Sequence, residues 1–159
     1  CSVWAQDSSP DVEEEVPAEQ LIADRFLAIL ERNPRRSTSL DRAYDYYAAT
    51  GDSETLITRY SEKIIDSPED ANLWLVLGLL HSERGDSGEA IAAFRQAETV
   101  DPTNALASYY LGEALVPTGL LMDAAEALER AVEREPVGRG DMLDALQLLG
   151  KVYGRLLRQ

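Results

Sequence analysis

Catalysis needs reactive side chains within reach of one another, and this sequence offers few. One serine stands between glycines and beside an aspartate, in Gly85-Asp86-Ser87-Gly88, a setting that can present a nucleophilic hydroxyl. Acyl transfer from such a serine requires a histidine base and an aspartate that orients it. The single histidine, His81, precedes that serine on what reads as a helix ending between them, so the two fall on opposite sides of a helix end. One histidine and one cysteine, Cys1, supply no Cys/His zinc set. Carboxylates are plentiful, yet pairs such as Glu13-Glu14 and Glu126-Glu129 stand near no Gly-rich phosphate loop and no ligand cluster. No catalytic, cofactor-binding or metal-binding residue is assigned, and the chain reads as no enzyme. His81 reads as a half-buried filler of an apolar face.

The elements that must carry any function are set by charge and periodicity. The 159 residues have 29 acidic and 15 basic side chains, a net charge of −14, and 45% are hydrophobic. That field repels nucleic-acid phosphates and anionic lipid, while the apolar fraction suffices for one folded core. The longest apolar run, Leu73 to Leu80, is far short of the roughly 20 residues that span a bilayer. Residues 1–18 read as a flexible acidic leader: Asp7, Asp11, Glu13, Glu14 and Glu15 have no basic neighbour, and Pro10 and Pro17 interrupt them. The opening CSVWAQ admits three readings. Val3-Trp4-Ala5 resembles the end of a signal peptide, Cys1 could be the acylated first residue of a lipoprotein, and the chain could be an internal fragment. An exported or periplasmic place, lipid-anchored in the second reading, is preferred to a cytoplasmic one.

From Leu21 onward a repeat dominates. Pro34, Pro68, Pro102 and Pro136 are spaced by 34 residues, and so are Gly51, Gly85 and Gly119. Between these marks the apolar residues recur at three and four, as in Trp74, Leu77, Gly78, His81 and then Ile91, Phe94, Ala97, which predicts a pair of amphipathic helices per period. Gly85 is expected to end one helix in a left-handed conformation, and Asp86 with Glu89 to open the next as a capping box. Pro102 turns Asp101 away from helical geometry and stops the second helix. A glycine inside a helix costs about 0.5–1 kcal/mol relative to alanine, so Gly78 and Gly112 need a reason, and close approach by Ala90 and Ala124 is the one expected. Trp74, Phe94 and Leu128 are expected to fill the space between neighbouring hairpins.

These residues resemble the tetratricopeptide repeat. Residues 71–104 supply Trp74, Leu77, Gly78, Gly85, Ala90, Phe94, Ala97 and Pro102 at the family's spacing, with His81 in place of an aromatic. Residues 105–138 supply Leu111, Gly112, Gly119, Ala124, Leu128, Ala131 and Pro136, with Ser108 where the large aromatic would stand. Residues 37–70 diverge: Tyr47, Gly51, Tyr60 and Pro68 fit, but Tyr44 replaces the glycine and Leu56 the small residue, exchanges expected to loosen or shift that hairpin. Residues 19–34 resemble a second helix without its first, and 141–158 a first helix that starts late, after a longer loop at residues 137–140.

The resemblance implies an all-α, right-handed solenoid of stacked helical hairpins over residues 19–159, serving as a non-catalytic protein-interaction scaffold. Its concave face would be lined by Asp41, Asp45, Asn72, Leu75, Leu79, Glu83, Leu106, Tyr109 and Glu113, with Asp144, Gln147, Lys151 and Arg155 if the last helix joins. Relatives that grip acidic chaperone tails use Lys and Asn there, so the acidic set points instead to a peptide or helix with apolar anchors flanked by Lys or Arg. Leu75, Leu79 and Leu106 read equally as core, and the carboxylates as a solvated face. An alternative role is a structural or assembly subunit of an envelope or secretion complex, joined end to end through Leu146, Leu149, Val152, Tyr153 and Leu156. The GDSG string also matches the nucleophile loop of trypsin-like serine proteases, but that chemistry sits on a β-barrel, which this pattern opposes.

Overall fold

The computed structural model describes residues 15–134 and 139–159. Among the described residues every regular element is a helix: α1 (Ala18–Arg32), α2 (Thr38–Ala49), α3 (Ser53–Asp66), α4 (Ala71–Arg84), α5 (Ser87–Val100), α6 (Ala105–Leu115), α7 (Leu121–Glu133) and α8 (Arg139–Leu156). Pro136 and residues 137–138 of the expected 137–140 loop lie outside the described residues, as do residues 1–14 with Cys1. Helix α8 begins at Arg139, two positions before the expected start at Asp141. Gly51, Gly85 and Gly119 have φ of 79°, 87° and 80°, the left-handed conformation that lets the chain reverse after α2, α4 and α6.

Helix starts are chosen differently from the expectation. Asp86 makes no cap hydrogen bond to α5: its carboxylate is taken by Arg84 and lies 3.5 Å from Nδ1 of His81. Two charged or polar donors beside it outcompete backbone amides for the same oxygens. The side-chain caps sit one turn of the repeat earlier. Asp70 accepts from the amides of Asn72 (2.9 Å) and Leu73, and Asn104 from those of Leu106 (3.0 Å) and Ala107, starting α4 and α6.

Helices α4 with α5, and α6 with α7, form tightly packed antiparallel hairpins; α5 then lies on α6, and α7 on α8. A Cβ placed on Gly78 would come within 2.4 Å of the Phe94 ring, and one on Gly112 within 2.6 Å of Leu128. The close approach at each glycine is therefore made by the large residue of the partner helix. The alanines play a lesser part: at Gly112 the Ala124 carbonyl lies 3.2 Å from the same point, while at Gly78 the three nearest atoms all belong to Phe94. Buried Ala90, Ala97 and Ala131 complete these interfaces. Phe94 also stacks on Tyr110 at 5.6 Å, joining one hairpin to the next. Trp74 packs against the core and reaches back to the preceding unit. It is half-buried, its indole N–H donates to the Pro68 carbonyl at 2.9 Å, and it lines a shallow hollow within its own hairpin beside Leu77 and His81.

Ser108, the counterpart of Trp74 in the next repeat, is fully buried in a polar cluster. Its hydroxyl donates to Glu98 at 2.7 Å, Arg130 binds both oxygens of Glu98 (2.8 and 3.1 Å), and Arg134 adds a second cation at 2.6 Å. Burial alone would push the Glu98 carboxyl up, but the hydrogen bonds from Arg130, Ser108 and Arg134 together hold it down at about 2.

The N-terminal helices depart from this regularity. Helix α2 packs on α1 and scarcely touches α3, so residues 38–66 do not close into a hairpin like the two that follow. Half-buried Tyr44 and fully buried Leu56 stand where those hairpins have small residues, and their bulk prevents the same approach. Helix α1 is bound by polar ties to α3 and, through Tyr47, to α2: Asp24 accepts from Arg59 and Tyr47 (both 2.8 Å), and Glu31 from Tyr60 (2.8 Å) and Lys63 (2.5 Å).

Two outcomes test this packing. Gly78→Ala should lower stability by about 1–3 kcal/mol in thermal melts despite its better helix propensity, and Phe94→Ala by about 3–5 kcal/mol; melts equal to the parent would remove the glycine–ring contact as the determinant. A depressed folded-state pKa stabilises above the unfolded value, so the Glu98 contribution is complete above about 4.5 and lost as pH falls toward about 2. Glu98→Gln should cost about 2 kcal/mol at neutral pH, and its stability should fall less steeply over that acid window in denaturant titrations.

Candidate functional site: an arginine shared by two helices

The expected groove residues divide into three groups. Leu75 and Leu79 of α4 have no solvent exposure and belong to the core. Asp41 and Asp45 are exposed on α2, on the side away from its buried Leu40, Ala43 and Tyr47. The remaining residues gather along α4 and α6. Asn72 donates from Nδ2 to the Glu31 carbonyl at 3.1 Å, Leu106 and Tyr109 are half-buried, and Glu83 and Glu113 share one guanidinium.

That guanidinium belongs to Arg36, in the connection between α1 and α2. Its Nη1 donates to Glu83 at 3.0 Å and its Nε to Glu113 at 2.8 Å, so one arginine bridges α4 and α6. The Arg36 backbone N–H donates to the Tyr110 hydroxyl at 3.0 Å, and the guanidinium carbon lies 5.9 Å from the centre of the same ring. Beside it, Arg35 reaches Asp141 of α8 and donates to Asn33 at 2.9 Å. The connection thus crosses from α4 to α8, pairing two arginines with three carboxylates. Burial pushes the Tyr109 hydroxyl up, with Glu113 adding to the shift, so this ring stays a neutral phenol at the acidic edge. Alongside Leu106 a cavity of about 400 Å³ remains, lined by Asn33, Pro34, Asn72, Asn104 and Arg134 among others.

Sequence reasoning placed Glu83, Glu113, Asn72, Leu106 and Tyr109 on one face and missed Arg35, Arg36, Tyr110 and Asp141. A basic pair at the punctuating Pro34 of so acidic a chain was the available signal. Tyr110 was hidden because its ring serves the core, stacked on Phe94, while its hydroxyl reaches the face.

The other sequence candidates fall elsewhere. Ser87 is exposed as the first residue of α5, and His81, only 8% exposed, faces Asp86. Among the described residues no three His, Cys, Asp or Glu side chains come together to hold a metal ion, and no helix is long and apolar enough to cross a membrane. On α8, Val152 is buried, Leu149 and Leu156 are half-buried, and Leu146 and Tyr153 are exposed.

Comparison with known proteins agrees with this architecture. A sequence model of the tetratricopeptide repeat matches residues 23–97 and again residues 75–139. The PEX5-related protein of Homo sapiens is 29% identical over 86 residues; these are 54% of this chain, which spans only 14% of that relative's length. Two solved structures share the solenoid fold. The first TPR of Spaghetti (RPAP3), bound to the HSP90 peptide SRMEEVD, has a TM-score of 0.61 at 19% identity, over 74% of this chain and 90% of that one. The type III secretion translocator chaperone SycD of Yersinia enterocolitica has a TM-score of 0.62 at 18% identity, over 81% and 92%.

The docking of the connection has its own check. Tyr110→Phe removes the acceptor for the Arg36 amide while keeping the stack on Phe94, so the amide should lose protection in hydrogen exchange and stability should fall by about 0.5–1.5 kcal/mol. An Arg36 amide that exchanges equally slowly in both proteins would refute this acceptor.

Proposed function

Because this chain belongs to the tetratricopeptide repeat family and has its all-α solenoid fold, we propose that it is a protein-interaction scaffold whose concave face takes a peptide or helix carrying basic and apolar residues. The observation that carries this reading is the clasp on Arg36, where Glu83 and Glu113 from successive hairpins converge on one guanidinium and Tyr110 accepts a backbone N–H. A face that holds its own arginine in this way is built for the side chain and main chain of an extended basic segment. Half-buried Leu106 borders the adjoining cavity, and half-buried Tyr109 follows it on α6; both offer apolar contact beside the charges.

The charge of the face also argues for what it would refuse. The HSP90 peptide in the similar structure contains two consecutive glutamates, and a site formed by Glu83, Glu113 and Asp141 in a chain of net charge −14 opposes such a ligand. Scaffolding requires no bond-making step, and the family's repeats serve here as the frame that holds acidic groups at fixed spacing.

In fluorescence anisotropy at low salt, a labelled peptide containing leucine and two adjacent arginines should bind at least about tenfold more tightly than its counterpart with glutamates for the arginines. Glu83→Gln combined with Glu113→Gln should abolish that preference with the helical content unchanged. Equal binding of the two peptides to the parent protein would defeat the proposal.

A further inference from the structure

The α1–α2 connection is placed unlike its counterparts. It has five residues, 33–37, between helix ends, where residues 67–70 and 101–104 serve α3–α4 and α5–α6. Pro34 is buried, although Pro68 and Pro102, at the same position of their repeats, are exposed. A turn that only reverses the chain has no cause to bury its proline. This one lies against α4 and α6 and carries Arg36 into the clasp of Glu83, Glu113 and Tyr110.

From this placement we infer that Arg36 is a built-in competitor: it occupies the face as a tethered stand-in for the partner's arginine, and a partner must displace it to bind. The inference rests on the reading of the face as a site for basic segments. A residue held by a short tether acts at an effective concentration on the order of millimolar, so a free peptide competes against a local ligand that is always present. The apparent affinity is reduced by the fraction of molecules in which the face is vacated. The latch is suited to release. The Arg36 side chain is already 41% exposed, and its two carboxylate partners are themselves partly solvated, so the ion pairs exchange for water readily. The fold does not depend on this contact, because α1 is held to α3 through Asp24 and Glu31 and to α2 through Tyr47. Release of Arg36 would therefore open the face and leave the helices in place. Selectivity follows as well: only a segment that offers a cation to both carboxylates regains what the displaced arginine gives up.

The test uses the full chain and a labelled synthetic peptide, Leu-Glu-Arg-Asn-Pro-Arg-Arg-Ser-Thr-Ser-Leu, which copies residues 30–40. Arg36→Ala, checked by circular dichroism for an intact fold, should bind it at least about tenfold more tightly than the parent. Saturating peptide should also speed hydrogen exchange at the Arg36 amide of the parent. Binding to Arg36→Ala that is equal to or weaker than binding to the parent overturns the competitor, and the reading of the face survives if Glu83→Gln with Glu113→Gln still abolishes binding. Failure of Arg36→Ala and the parent alike to bind at millimolar peptide overturns both.

Discussion

The packing of this solenoid depends on two places where a side chain is missing. At Gly78 and Gly112 the hydrogen replaces a Cβ that would collide with Phe94 and Leu128, and only there does the second helix of each hairpin come fully against the first. From that approach follow the burial of Ala90, Ala97, Ala124 and Ala131, the seating of Phe94 on Tyr110, and the spacing between α4 and α6. The spacing in turn sets the separation of Glu83 and Glu113, which only two correctly nested hairpins bring onto a single arginine. The face inherits its geometry from the core.

Much of this could be read in advance because it is local. Prolines and glycines at a fixed period mark where backbone geometry must change, and such constraints depend on the residue itself and its immediate neighbours. The bulk of Tyr44 and Leu56 likewise foretold that residues 37–70 would pack differently. What escaped was competition among partners. Asp86 has the sequence context of a cap, yet Arg84 and His81 claim its carboxylate, while the unremarked Asp70 and Asn104 cap α4 and α6. The occupied face escaped for a related reason: Arg36 is 47 positions from Glu83 and 77 from Glu113, and no period relates residues that meet only through tertiary folding. Leu75 and Leu79 were equally open to a core or a groove reading, and which one holds depends on packing between distant helices, which buries both.

Scarce cations explain how so acidic a chain stays compact. Arg59, Lys63, Arg130 and Arg134 each tie a carboxylate on another helix. Glu98 is the strongest case, with two arginines and a buried hydroxyl directed at one carboxylate. Its low proton affinity measures how thoroughly these donors replace the solvent it has lost.

The same cluster makes neighbouring repeats non-interchangeable. Ser108, Arg130 and Arg134 correspond, one repeat earlier, to Trp74, Gln96 and Val100. A copy of residues 71–104 spliced in place of 105–138 would keep every glycine and proline of the pattern, yet it would confront Glu98 with an indole, an amide and an isopropyl group. The array is thus modular in backbone only: its units have an order, written in which charges the preceding helix leaves for its successor to neutralise.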